Sequence, residues 1–346
     1  MYKDVESLSV SHACGNLSSS FRLRITRSGC EYDGPVNSYS TSPKGLLPDW
    51  FEKSAISGYG EIHSKFDSKV RSAREIPASE FEVEPEFLRQ IQWIWGDRFL
   101  PRVVRAEPYK IHLYGPGGHF KSHRDTPETS LVGTFLVGLG DTSSNSEGHF
   151  CIADKKLRAE PCSWVAFHPD IPHEVTKLED GHRAVLEFKI FRVADSEPDI
   201  LPEARVKRIL DQIPAPFGLL TTHQYSMDTT SLNGIDALLS AYGRSRNARM
   251  FPVVNVFHGS SGDSYSPSKS KSRVYPFTRA HLDVLLERNV VQAKKAIQWF
   301  DRLSGIPFYS WDISATSETW NEDYDDDSSS TEENYTYLSY AILFLQ

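Results

Sequence analysis

The sequence predicts a mainly β protein with flanking helices: a sandwich or barrel core, followed by a smaller α+β extension. Three observations carry that reading. Short runs of strand-forming residues recur between residues 109 and 191, separated by turn-rich segments. One helix-period segment precedes them. After Arg192 the apolar pattern lengthens to helical spacing, then closes on an apolar strand. The chain therefore divides into an N-terminal segment 1–80 without an assigned role, a core 81–193 with its leading helix, and an extension 194–346.

Residues 1–60 are rich in Ser and Gly and hold one strand-like run, Phe21–Thr26, that alternates apolar and basic. Glu84–Phe99 reads as a helix: Pro85 suits its first turn, and Phe87, Leu88, Ile91, Ile94 and Trp95 recur at helical spacing until Pro101 stops it. Five β-type runs follow, Tyr109–Tyr114, Leu131–Leu139, His149–Ala153, Ser163–Phe167 and Ala184–Phe191. GPGG at 115–118, the Ser-rich stretch 141–148, HPDIP at 168–172 and EDG at 179–181 supply the turns between them. Residues 194–203 read as a linker, and Glu203–Ile213, Ile235–Tyr242 and Leu282–Leu303 as helices. A Ser/Lys segment, 260–273, and an acidic loop, 318–334, read as mobile or disordered. Tyr335–Leu345 must be buried, since a free apolar strand invites edge pairing.

Composition narrows the function classes. With 39% hydrophobic and 24% charged residues the 346-residue chain is ordinary globular material. No apolar run reaches the ~18 residues of a membrane span, so no membrane partner is expected, and Met1–Val10 lacks the apolar segment of a secretory signal. Cys14, Cys30, Cys151 and Cys162 show no CxxC spacing, which argues against a zinc ribbon or a disulfide scaffold and for a reducing compartment, cytoplasmic or nuclear. A net charge of −8 argues against a nucleic-acid partner.

His123-Arg-Asp125 is the chemical starting point. Residues two apart on a strand share a face, so an imidazole and a carboxylate can converge on one ion there. A distant His would complete a two-histidine, one-carboxylate set, which holds Fe(II) and leaves positions open. The spacing alone selects nothing. Chance supplies about one His-x-Asp among 12 His and 23 Asp, and the chain has three. His281/Asp283 opens a helical pattern, and His168/Asp170 sits in the turn HPDIP. His123/Asp125 alone follows a strand and a Gly-rich turn.

The segment 109–125, YKIHLYGPGGHFKSHRD, resembles the prolyl 4-hydroxylase branch of the Fe(II)/2-oxoglutarate dioxygenases. That motif runs tyrosine, glycine-rich turn, aromatic, His-x-Asp, here with Tyr114 nine residues before His123 and Phe120 three before it. Trp164–Phe188 is similar to the family's second half, with the distal His at His173 and a basic residue ten later at Arg183. The resemblance implies a double-stranded β-helix (jelly-roll) core in which His123, Asp125 and His173 hold Fe(II) and carry catalysis. It further implies that Arg183 holds the 2-oxoglutarate C5 carboxylate, for which a guanidinium offers a planar fork. Tyr114 lines the same pocket, and Thr134, on the next strand, is expected as a further pocket residue. Ascorbate is the reductant it suggests. The retained Asp125 favours hydroxylation over halogenation, and Lys189, where nucleic-acid demethylases carry a second arginine, counts against base repair.

The reaction so implied is hydroxylation of a peptidyl residue, proline first, with 2-oxoglutarate and O2 converted to succinate and CO2. A free amino acid or small metabolite is the alternative substrate, since the same motifs would serve it. A catalytically silent jelly-roll interaction domain is the reading from a different class. Intact His123, Asp125, His173 and Arg183 argue against that last one.

Overall fold

Leu131–Asp141 is buried along its whole length, a pattern open only to a strand covered on both faces. In the computed structural model this strand, β10, lies within a seven-stranded antiparallel sheet. The structure describes residues 10–39, 43–58, 66–126, 128–144, 148–193, 203–215, 217–221, 223, 232–260, 271–276, 298–300 and 332–344. The chain separates into two units, one spanning Val10–Glu197 and a second containing the chain from Pro198 on.

Eight strands form the heart of the first unit: β8 (Val104–Tyr114), β9 (His119–His123), β10, β11 (Phe150–Ile152), β12 (Lys155–Leu157), β13 (Ser163–Phe167), β14 (His173–Val175) and β15 (Arg183–Arg192). Spatially β13-β10-β15-β8 are neighbours in the larger sheet and β12-β11-β14-β9 in a second one. The chain thus alternates between two antiparallel sheets, which is a double-stranded β-helix, the jelly roll expected above. Residues before 81 build onto both sheets. β1 (His12–Asn16) extends the larger sheet beside β13, while β6 (Arg74–Pro77) and then β4 (Ala55–Ile56) extend it beyond β8. β5 (Arg71–Ser72) pairs with β9 in the smaller sheet. A further three-stranded sheet is made by β2 (Phe21–Ile25), β3 (Tyr32–Val36) and β7 (Phe81–Val83).

The period-two alternation of β15 decides what lies on each side of the larger sheet. Ala184, Leu186, Phe188 and Ile190 join a core with Phe87, Ile91 and Trp95 of helix α2 (Pro85–Arg98) and with Leu47 and Trp50 of the short helix α1 (Leu47–Lys53). Phe87 stacks on Phe21 at 3.9 Å and meets Phe188 edge-on. Each large apolar side chain so buried contributes roughly 1.5–3 kcal/mol. Trp95 lies so close over β10 that a Cβ on Gly133 would stand 2.0 Å from its ring, so only glycine fits there. Arg183, Val185 and Glu187 occupy the other face of β15, toward the second sheet.

The second unit is α+β, as expected. Helices α3 (Glu203–Leu210) and α4 (Gly234–Ser245) accompany a sheet ordered β18-β17-β20-β16-β19. Its strands are β16 (Phe217–Leu220), β17 (Arg249–Ser260), β18 (Lys271–Pro276), β19 (Gln298–Phe300) and β20 (Glu332–Phe344). The apolar C-terminal strand is central, between β17 and β16, with Ile342, Leu343 and Phe344 buried. The helix expected over 282–303 differs at its end: Gln298–Phe300 is a strand parallel to β16, where Trp299 and Phe300 gain a ladder partner. Residues 282–297 and 301–303 of that segment, the linker 194–202 and residues 318–331 of the acidic loop lie outside the described residues.

Candidate functional site

Strands β9 and β14 are neighbours with His123 directly opposite His173, so backbone pairing alone brings two imidazoles together. Their ring centroids stand 4.3 Å apart. Asp125 is not on the strand, as the His-x-Asp spacing suggested; β9 ends at His123. The Asp125 amide instead donates to the Pro169 carbonyl at 2.9 Å, which ties this connection to the turn leading into β14. That brings Asp125 Oδ1 to 3.6 Å from His173 Nε2. The ligand atoms of His123, Asp125 and His173 all lie within 4.8 Å of one another. They form one two-histidine, one-carboxylate cluster.

Neighbouring groups prepare these donors. His123 Nδ1 donates to the Lys121 carbonyl and His173 Nδ1 to the Ile171 carbonyl, each at 2.9 Å. Both Nε2 atoms are thereby left with a lone pair for a metal. Burial, and then the neighbouring His173, hold His123 well below the ordinary imidazole pKa, so it stays neutral. Burial pushes the Asp125 carboxyl up, a cost that a bound divalent cation would offset. Thr134 donates its hydroxyl to Asp125 Oδ2 at 2.5 Å, leaving Oδ1 toward the histidines. Two imidazoles and one carboxylate on one side of a point suit Fe(II).

A second feature lies between the sheets. A cavity of about 240 Å³ is lined by Leu136, Phe150, Trp164, Val165, Val185 and Arg183, among others. Arg183 is 2% exposed, and Nη1 donates to the carbonyls of Gly148 at 2.7 Å and Leu157 at 3.2 Å. Its Nε is buried without a hydrogen-bond partner. A buried guanidinium without a bound acid is costly, and burial accordingly lowers its pKa, with Asp141 acting against that shift. The orphaned Nε and the apolar walls fit a linear dicarboxylate. Phe150 connects the two features, since it lines the cavity and packs 5.5 Å from the His173 ring.

The sequence-predicted residues therefore fall into place unevenly. His123, Asp125 and His173 converge. Tyr114 pairs across β8 and β15 with Arg183, and burial keeps its hydroxyl protonated. Thr134 differs from expectation: it stands one alternation before Leu136 on β10, so it meets Asp125 while Leu136 lines the cavity. His168 is structural, bonding the Val132 carbonyl at 2.8 Å between Trp95 and Phe99; His281/Asp283 lies outside the described residues. His112 is a buried histidine with both ring nitrogens bonded, and its partners, Arg71 and Glu187, are charged. Neither was singled out. The inward side of β15, shared by Arg183 and Glu187, was the available signal for the second of them.

No family model and no curated protein matches this chain. Among solved structures it is similar to a prolyl-4-hydroxylase from Pseudomonas putida, at 13% identity over 55% of this chain and 98% of that one, with a TM-score of 0.36. A prolyl hydroxylase from Trichoplax adhaerens, in complex with a hypoxia inducible factor oxygen degradation domain peptide fragment, is 14% identical over 57% of this chain and 91% of its own, with a TM-score of 0.36. An oxidoreductase of the 2OG-Fe(II) oxygenase family from Burkholderia pseudomallei is 10% identical over 47% and 85%, with a TM-score of 0.29.

Proposed function

We propose that this protein is an Fe(II)- and 2-oxoglutarate-dependent oxygenase that hydroxylates a C–H bond of an amino-acid residue, peptide-borne or free. The observation that carries the reading is the convergence of His123, Asp125 and His173, with both Nε2 atoms freed by carbonyl bonds, inside the same jelly roll as a buried arginine. Bound iron would supply O2 activation, coupling conversion of 2-oxoglutarate to succinate and CO2 with hydroxylation of the substrate.

The chain's own residues set the stage for that chemistry. His123, His173 and Asp125 would hold the ion from one side, and Thr134 fixes which carboxylate oxygen faces it. Arg183 would take the far carboxylate of 2-oxoglutarate through its fork. Tyr114, kept neutral by burial, stands beside it as a hydrogen-bond donor. Leu136, Phe150, Val165 and Val185 exclude water along the cavity and orient the chain of the keto acid. The test is succinate formation by the purified protein given Fe(II), 2-oxoglutarate, ascorbate and O2. A slow uncoupled rate is expected in the wild type and none in His173→Ala. Wild-type protein that binds iron and forms no succinate with any amino-acid or peptide substrate would overturn the proposal.

A further inference from the structure

The interior face of β15 carries an ionisable group that the proposed chemistry leaves unused. Glu187 follows Arg183 by four residues, which on a strand places it on the same face about 13 Å along. The β8–β15 ladder shifts register between Glu187 and Phe188, where Pro108 of β8 offers no N–H, and such bulges re-aim the side chain beside them. Glu187 is 8% exposed and accepts, through Oε2, a hydrogen bond from His112 Nε2. His112 Nδ1 in turn accepts from Arg71 Nη2 at 2.6 Å, which fixes the tautomer and makes Nε2 the donor. Arg71 is anchored by the Gly58 carbonyl at 2.9 Å and lies over Phe120, whose ring stacks on His123. A guanidinium, an imidazole and a carboxylate thus form one buried chain alongside the metal cluster, with Glu187 close enough to Asp125 and His173 for their charges to couple.

The two lysines nearest on the strands are already paired. Lys110, opposite Glu187 in the ladder, donates to Glu75 at 3.0 Å, and Lys189 pairs with Glu128. Among the described residues the hydrogen bond to Glu187 is that of His112 to Oε2. A carboxylate held through one oxygen has its other oxygen available to a donor arriving with the substrate, and N⁺–H groups make its strongest partners. A peptidyl proline ring offers neither N–H nor charge. We propose that Glu187, held by His112 and Arg71, is the substrate anchor of this site and receives an ammonium or guanidinium group. The substrate is then a basic amino acid or a basic residue in a peptide. This rests on the oxygenase reading only for what happens after binding.

The experiment is calorimetric titration of the full chain with L-lysine, L-arginine, and acetylated, amidated Gly-Lys-Gly, Gly-Arg-Gly and Gly-Pro-Gly tripeptides. Glu187→Gln, which still accepts from His112, is compared with Glu75→Gln, whose carboxylate faces Lys110. At least one basic probe should bind the wild type, and Glu187→Gln should weaken it by about ten- to hundredfold, the worth of a charge-assisted hydrogen bond. Glu75→Gln should stay within twofold, and unchanged melting curves show that the variants are folded. Tighter binding of free amino acids identifies a metabolite substrate, and tighter binding of tripeptides a peptide one; either supports the anchor. Equal affinity in Glu187→Gln, binding of the proline tripeptide alone, or no binding of any basic probe overturns it. Absence of succinate formation with a bound basic probe would count against the oxygenase reading, not against the anchor.

Discussion

Thr134→Val removes one hydroxyl and little volume, and it isolates how Asp125 is prepared for a metal. The bond it breaks, Thr134 Oγ1 to Asp125 Oδ2, is 2.5 Å long and lies beside a threonine that is 3% exposed, so water is poorly placed to replace it. Hydrogen bonds to charged groups contribute about 1.5–3 kcal/mol, which corresponds to roughly ten- to 150-fold in an equilibrium constant. Loss of a partner to a metal-binding carboxylate typically weakens the metal by about 10–100-fold. Burial already pushes the Asp125 carboxyl up, and without Thr134 it rises further, so proton competition makes the defect larger at pH 6 than at pH 8. Anaerobic calorimetry with Fe(II) should give a dissociation constant weakened by about 30-fold in Thr134→Val, the middle of that range, and restored by Thr134→Ser. Folded Thr134→Val protein that binds Fe(II) within twofold of wild type at both pH values would refute the reasoning.

Arg183→Met should weaken 2-oxoglutarate binding by about a hundredfold, and Arg183→Lys by less, because a lysine keeps charge but not the fork; binding isotherms of iron-loaded protein check this, and an unaffected Met variant would remove Arg183 from the pocket. Gly133→Ala forces a Cβ to within 2.0 Å of Trp95 and should cost about 1–3 kcal/mol or more by overpacking, read as an earlier denaturant midpoint. For metal-free protein, His112 and His123 both have folded pKa values well below the ordinary 6.5. Their stabilisation is full above that pH and is lost as pH falls toward the folded values, about 0.8 kcal/mol each between pH 7.5 and 6. Melting at the two pH values should show that loss, and His112→Gln should reduce it; a flat profile in the wild type would contradict the burial of neutral histidines.

The legible parts of this protein were those in which a residue's type and its local period agreed. Helix α2 could be read from Pro85 and the Phe87–Trp95 stripe, and β13 emerged with the predicted bounds because turns flank it on both sides. Strands β12 and β14 were not legible, and β9 only at its His123 end, because HFKSH, KKL and HEV are short and polar and carry little β propensity. His123, Asp125 and His173 were readable as an ordered motif, yet the reason Asp125 reaches the histidines, its amide bond to Pro169, joins segments that only the fold brings together. Thr134 bonds Asp125, and Leu136, one strand alternation on, lines the cavity. Arg71 was silent, since nothing local tells a buried arginine on a two-residue strand from a surface one.

The central claim, that the histidine–aspartate cluster and Arg183 form one site for Fe(II) and 2-oxoglutarate, is tested most directly by anaerobic visible spectroscopy. Iron-loaded wild type should develop a metal-to-ligand charge-transfer band on titration with 2-oxoglutarate, Arg183→Met should need far more of the keto acid, and Asp125→Ala should show none. A folded, iron-loaded wild type without a band at saturating 2-oxoglutarate, or a band indifferent to both substitutions, would contradict the account.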